Sequence, residues 1–225
     1  MKIAFITKKN KPNVNKAINF LNKFTKKDLD IYFANQNQKI PAKLYKKKYD
    51  LIISYICPWI LDKKILSNTK KYNINFHPGP PEYPGIGCFN FALYYSAKSF
   101  GTTSHIMLNK VDSGRIIYVN RFKMNSKTQL SEIMNKTYDL LYLNFKKVIK
   151  DIFTDKTLNF SDETWTRKPY TRNQLNKLNM LNLNMTKKEI LKRIQAMHNY
   201  EHPGPFIQIK GIKFAYHESE IIKKK

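Results

Sequence analysis

Three side chains stand where they could carry out an acyl transfer. Asn75 and His77 alternate with Ile74 and Phe76, so both fall on one face of a short extended segment, which Pro78-Gly79 ends. Asp112 lies in the turn Val111-Asp112-Ser113-Gly114, after a second extended run from Thr102 to Leu108. A neutral histidine beside a carboxylate can take a proton from an attacking amine or water. A carboxamide N–H aimed at the same point, together with an imidazolium, stabilises a tetrahedral oxyanion. The carboxylate sets the tautomer and orientation of the ring. Taken singly, His77 reads as a strand-end packing residue and Asp112 as a turn residue; the combination is what points to chemistry. His105, on the second run, reads as structural support for the pair. Cys88 sits in an apolar stretch with no thiolate-stabilising neighbour, and no nucleophilic serine or cysteine with a base partner stands out. Direct transfer fits better than a covalent intermediate.

The elements that must position these residues read as an α/β domain. Lys2 to Thr7 is an apolar run with β-branched members, followed by a helix with Val14, Ala17, Ile18, Leu21 and Phe24 at helical spacing. Strands follow over Leu29–Ala34 and Asp50–Tyr55, then a short helix over Ile60–Ser67 and a fourth strand over Asn73–His77. Strands apolar on both faces and alternating with helices indicate a parallel sheet. Asn75 and His77 then sit at a strand's C-terminal end, the edge where open α/β sheets bind ligands. Further on come a helix over Phe89–Lys98, strands over Thr102–Leu108 and Ile116–Phe122, and a long amphipathic helix over Leu130–Phe153. The remainder is an irregular basic-aromatic loop from Thr164 to Arg172, a helix over Lys187–His198, a hairpin turning at Lys210-Gly211, and a lysine tail at 223–225 expected to fray. The domain expectation is a catalytic unit over 1–155 and a C-terminal extension over 156–225.

Composition narrows the function classes. With 42% hydrophobic residues in 225, the chain can bury a real core. No apolar stretch approaches the roughly 20 residues of a membrane span, and the start Met1 to Thr7 does not read as a signal peptide, so a cytoplasmic address is expected. Cys57 and Cys88 have no metal-ligand spacing, and no metal is expected. The first strand lacks the glycine-rich turn of a dinucleotide site, and no phosphate-binding P-loop occurs. The net charge of +25 admits polyanionic partners. Its lysines are scattered through every segment, as compositional drift would scatter them. A nucleic-acid-binding module would account for the charge and for none of Asn75, His77 and Asp112.

The run Asn75-Phe76-His77-Pro78-Gly79-Pro80-Pro81-Glu82-Tyr83-Pro84-Gly85, then Gly101-Thr102-Thr103-Ser104-His105, then Val111-Asp112-Ser113-Gly114-Arg115-Ile116-Ile117, resembles the signature of folate-dependent formyltransferases. The match covers residues 50–122 well. It implies a Rossmann-like core and 10-formyltetrahydrofolate as donor. It also implies a triad in which Asn75 holds the formyl oxygen, His77 is the base and Asp112 orients it. Cys57, Pro58, Trp59 and Ile60, together with Asp112, should line the folate pocket. Gly79 departs from the resemblance, since many members carry serine there.

The acceptor has to be argued from other segments. Glycinamide ribonucleotide enzymes carry a glycine-rich loop after the first strand, and Lys8 to Asn13 has no glycine. Methionyl-tRNA enzymes add a C-terminal β-barrel, where this chain has a loop, a helix and a hairpin. Sugar N-formyltransferases are similar in Lys168-Pro169-Tyr170-Thr171-Arg172 and in the Arg193 to Phe214 region. The resemblance then implies a nucleotide-linked amino sugar as acceptor, with a dTDP-sugar expected ahead of a UDP-sugar, of the kind used in lipopolysaccharide O-antigen. Trp165 or Tyr170 could stack the base, and Lys9, Lys168 or Arg172 could neutralise the pyrophosphate. Glu82 and Tyr83 are assigned to the acceptor side. The C-terminal helix and hairpin are a candidate homodimer surface.

Overall fold

The computed structural model describes residues 1–25, 27–154, 157–199 and 204–217. The expected domain boundary at 155/156 and the lysine tail lie outside these residues. The chain builds a six-stranded sheet from β1 (Ile3–Thr7), β2 (Leu29–Phe33), β3 (Tyr49–Tyr55), β4 (Thr69–His77), β5 (Ser99–Ile106) and β6 (Ile116–Lys123). Their spatial order is β2-β1-β3-β4-β5-β6. The first four strands pair in parallel, and β5 and β6 are added antiparallel.

The continuous apolar run of β1 has a direct physical cause. Ile3 and Phe5 point into one core, with Leu21, Tyr55, Phe76 and Phe145, while Ala4 and Ile6 point into a second, with Leu44, Ile52 and Ile65. The first core lies under α1 (Val14–Thr25) and α5 (Leu130–Phe153); the second is covered by α2 (Ala42–Lys46) and α3 (Lys63–Leu66). Phe145 of α5 is fully buried and meets Phe5, Tyr55 and Phe76 edge to face at 5.0–6.0 Å. Each such side chain contributes about 1.5–3 kcal/mol through burial. This packing anchors the strand that carries the candidate residues, because Phe76 stands between Asn75 and His77 and faces the opposite side.

Several boundaries differ from expectation. The helix expected over Ile60–Ser67 is only α3, because Asp62 caps it by accepting from the Ile65 N–H at 3.0 Å. Residues 57–62 are thereby left outside the helix. The helix expected over Phe89–Lys98 is α4 (Cys88–Tyr94); Ser96 takes a φ of +52°, and β5 begins at Ser99. β4 begins at Thr69, where the exposed lysines Lys70 and Lys71 conceal strand periodicity.

The C-terminal part adds α6 (Arg172–Leu178), β7 (Met180–Leu181), α7 (Lys187–Met197), β8 (Phe206–Ile209) and β9 (Ile212–Ala215), with a three-stranded sheet ordered β7-β8-β9. Lys210 and Gly211 both have positive φ, +47° and +84°, the two-residue turn that matches strand twist. α7 docks on α4: Asn90 Nδ2 donates to the Ala196 carbonyl at 2.8 Å, and Tyr94 donates to Glu189 at 2.9 Å.

Candidate active site

Antiparallel pairing of β4 with β5 sets Asn75 directly opposite His105 and His77 opposite Thr103. The chain then turns back through Asp112, whose φ of +39° is left-handed, and Asp is one of the few side chains that adopt this region readily. The turn delivers its carboxylate between two imidazoles. His77 Nδ1 is 3.3 Å from Oδ2, and His105 Nε2 is 3.2 Å from Oδ1. Asn75 Nδ2 lies 3.0 Å from His105 Nε2 and 3.3 Å from Asp112 Oδ1. All three ring-bearing or charged members are buried.

The Pro-Gly loop closes the cluster. Gly85 donates its N–H to Asp112 Oδ2 at 2.7 Å, and the Tyr83 carbonyl faces His77 Nε2 at 3.1 Å. Gly85 must be glycine: its φ is +86°, and a Cβ would stand 2.4 Å from the Tyr170 carbonyl. Burial works against the charged form of Asp112. The charge of His77, the hydrogen bond and charge of His105, and the Gly85 N–H outweigh it and hold the carboxyl well below the usual carboxylate range. His105 Nδ1 is 2.9 Å from the Ile106 carbonyl, which only a protonated Nδ1 can satisfy, so Nε2 donates to Asp112 Oδ1 in the charged ring and accepts from Asn75 in the neutral one. His77 has acceptors at both nitrogens. A proton taken up at Nε2 therefore meets the Tyr83 carbonyl, while Nδ1–H stays on Asp112.

The cluster forms the floor of a cavity of about 500 Å³. Ile56, with the rare φ of +53° for a β-branched residue, turns the chain from β3 into one wall, Cys57-Pro58-Trp59-Ile60. Trp59 is fixed there by its Nε1–H on the Asn35 carbonyl at 2.9 Å. Met107, Leu108 and Val111 face the cavity from the Asp112 side, and Pro169 to Arg172 close a third side. Burial pushes the Cys57 thiol up to about 11 and the Cys88 thiol to about 12, so neither is poised as a thiolate nucleophile.

The residues proposed from sequence fall into two groups. Asn75, His77, Asp112, Cys57, Pro58, Trp59, Ile60, Tyr170 and Arg172 line the cavity. Lys9, Glu82, Tyr83, Trp165 and Lys168 do not. Lys9 and Lys168 are exposed on loops. Glu82 is paired with Arg121 at 2.9 Å, and Arg121 also holds Glu163 at 2.5 Å. Tyr83 contributes its carbonyl to His77, and its ring packs toward Phe100 and Tyr170. Trp165 packs edge-on against His77 and His105. The Tyr170 ring has Phe91 stacked at 3.7 Å and the Arg167 guanidinium 3.3 Å from its centroid. Two groups at those distances must occupy opposite faces, so the ring offers no free face on which to stack a base. Sequence reasoning passed over Gly85 N–H and the Tyr83 carbonyl, because backbone groups leave no residue-type signal.

A family model for formyl transferase matches residues 2–149. A methionyl-tRNA formyltransferase of Clostridium tetani (strain Massachusetts / E88) is 27% identical over 187 residues, covering 81% of this chain and 58% of that protein. The chain thus spans less than two thirds of that relative's length. Among solved structures, a sugar N-formyltransferase from Shewanella sp FDAARGOS_354 superposes with a TM-score of 0.81 at 20% identity, over 97% of this chain and 98% of that one. An N-formyltransferase from Helicobacter canadensis, solved with folinic acid and dTDP-3-aminofucose, gives 0.72 at 18% identity, over 95% and 86% of the two chains. At these identities the likeness establishes the fold, six-stranded sheet and C-terminal sheet alike. With more than half of its residues matched by the family model, and with Asn75, His77 and Asp112 gathered on one cavity floor, the chain belongs to the formyl transferase family.

Proposed function

We propose that this protein transfers a formyl group from 10-formyltetrahydrofolate to the primary amine of a nucleotide-linked amino sugar, dTDP-linked in the first instance. The observation that carries the reading is the convergence of Asn75, His77 and Asp112 on the floor of a cavity with an apolar wall. The donor supplies the formyl carbon as electrophile. The residues present suit a flat heteroaromatic group: Ile60 is 65% exposed and Leu108 51%, apolar side chains facing the cavity that such a ring would cover. Cys57 to Ile60 are the segment that would hold it.

In this reading the amine attacks the formyl carbon directly. Asn75 Nδ2–H donates to the oxygen as it becomes an oxyanion. His77 Nε2 takes the proton lost by the amine and returns it to the departing nitrogen, so that no net charge is left behind. Asp112 keeps His77 Nδ1–H in place throughout. Arg172, which lines the cavity without an ion-pair partner among the described residues, is the candidate contact to the acceptor's phosphates.

The sugar reading is supported by the likeness to sugar N-formyltransferases, which extends through the C-terminal segment. The methionyl-tRNA formyltransferases among the sequence relatives favour a second acceptor, methionyl-tRNA. A panel of dTDP- and UDP-amino sugars, incubated with 10-formyltetrahydrofolate and read by mass for a formyl adduct, separates the two. Inert sugars with formylated initiator methionyl-tRNA would reject the sugar.

A further inference from the structure

One side chain of the C-terminal segment reaches the catalytic cluster from behind. The Trp165 ring centroid is 4.9 Å from that of His105, at 88°, and 6.0 Å from that of His77, at 71°. Its Nε1–H donates to the Gly114 carbonyl at 2.8 Å, two residues beyond Asp112. Trp165 does not line the cavity. It therefore touches the two imidazoles and the turn that carries their carboxylate, without facing the space a substrate would fill.

We propose that Trp165 is a positioning residue of the transfer reaction, holding His77 and His105 against Asp112 and keeping the Asp112 turn in its left-handed conformation. The proposal rests on the role of His77 as base argued above. A non-glycine residue at a positive φ carries a strain that its surroundings offset, smaller for aspartate than for most side chains. Asp112 is fixed on one side by the Gly85 N–H, and the Trp165–Gly114 bond fixes its turn on the other. Trp165 itself is held by the backbone that follows it. Thr166 N–H donates to the Pro81 carbonyl at 3.3 Å and Tyr170 N–H to that of Pro84 at 2.9 Å, tying its segment to the Pro-Gly loop. The indole thus forms a rigid apolar back to both rings, leaving Asp112, Asn75 and the Tyr83 and Ile106 carbonyls as the polar groups that orient them. A contact to the acceptor base would instead require an indole face open to the cavity.

Two variants test this, Trp165→Leu and Trp165→Phe, in the full chain. Three readouts apply: kcat and KM for each substrate, long-range proton–nitrogen spectra of the histidines in the ligand-free protein, and thermal unfolding. Trp165→Leu removes the ring and the donor, and kcat should fall about 10²-fold, the scale of an ångström of misplacement. KM for both substrates should stay within about twofold, since no interaction common to ground and transition states is lost. The nitrogen signals of His77 and His105 should report altered tautomer populations. Trp165→Phe keeps an aromatic ring and deletes only the donor, and should lower kcat by about threefold to tenfold, the worth of one neutral hydrogen bond. A folded Trp165→Leu protein with unchanged kcat and unchanged imidazole signals would overturn the proposal. So would a rise in KM for the nucleotide sugar at constant kcat, which marks a substrate contact. If Trp165→Leu does not fold, Trp165→Phe decides alone, and no change in either its kcat or its imidazole signals is the negative result. Should the wild-type protein formylate no acceptor, the functional reading fails, and the spectra still decide whether Trp165 positions the rings.

Discussion

Adding a single methyl group at Gly79 should disable the base while leaving the fold intact. A Cβ built at this position lies 2.6 Å from His77 Nε2, 3.1 Å from His77 Cδ2 and 3.0 Å from Cys88 Cβ. Gly79 has no positive φ, so alanine is acceptable to the backbone and the conflict is purely steric. The backbone cannot readily yield, because the Gly79 carbonyl accepts from buried Thr103 Oγ1 at 2.8 Å. Cys88, 4% exposed and bonded to the Pro78 carbonyl, closes the other side. The imidazole must therefore give way. Restoring a separation of about 3.5 Å from 2.6 Å means a retreat of about 0.9 Å. A ring displaced that far leaves its place between Asp112 Oδ2 and the Tyr83 carbonyl. Misplacement on this scale costs about 10²-fold in rate, or about 2.7 kcal/mol of transition-state stabilisation. Overpacking should lower stability by about 1–3 kcal/mol. The assay is kcat for formyl transfer by Gly79→Ala, with thermal unfolding and a crystal structure of the variant. Activity within about threefold of wild type, with His77 unmoved, would refute the steric reasoning, since misplacement would then be absent.

Other perturbations probe separate parts of the site and the scaffold. His77→Asn and Asp112→Asn should each lower turnover by about 10²-fold or more with the fold retained; near-full activity in either removes its catalytic assignment. Ile60→Ser should raise KM for the folate donor by about tenfold and leave thermal stability unchanged, because Ile60 is 65% exposed in the free protein and loses only ligand contact. A shift in unfolding temperature without a change in KM would contradict this. Asp30 offers a pH test remote from the site. Burial would raise its carboxyl, but hydrogen bonds from Lys47, Tyr49 and Lys43 bring it down from 3.8 to about 2. Its folded value lies below its unfolded one, so the stabilisation of about 2 kcal/mol is complete above about pH 4 and is lost as pH falls through about 2. Urea unfolding of Asp30→Asn should show that deficit at pH 7 and its disappearance in acid; a deficit independent of pH would assign the loss to packing.

Much of this was legible in the residues because it depends on local periodicity. Strand alternation puts Asn75 and His77 on one face whatever the rest of the chain does, and the Pro78-Gly79 break puts them at a strand end. The doubly buried strands announce a parallel sheet because each must cover two cores, as β1 does with Ile3 and Phe5 on one side and Ala4 and Ile6 on the other. The stripe of α5 and the Lys210-Gly211 turn are local in the same way. α2, α6 and β7 carry no such local signal: they are short, α2 and α6 bury one side chain each, and pairing rather than pattern defines β7. The site's finer structure is non-local. The antiparallel register of β4 with β5 puts His105 across from Asn75, and nothing in either segment specifies that offset. Tyr170 reads as an open aromatic until Phe91 and Arg167 cover its two faces. Trp165 sits 53 positions beyond Asp112 in the chain, and only the pairing of its segment with the Pro-Gly loop brings the indole to the back of the histidines. The sequence alone determined which groups could do the chemistry, because residue type and strand period suffice for that. Tertiary structure decided which groups hold them in place, because contacts between distant segments depend on register and loop path.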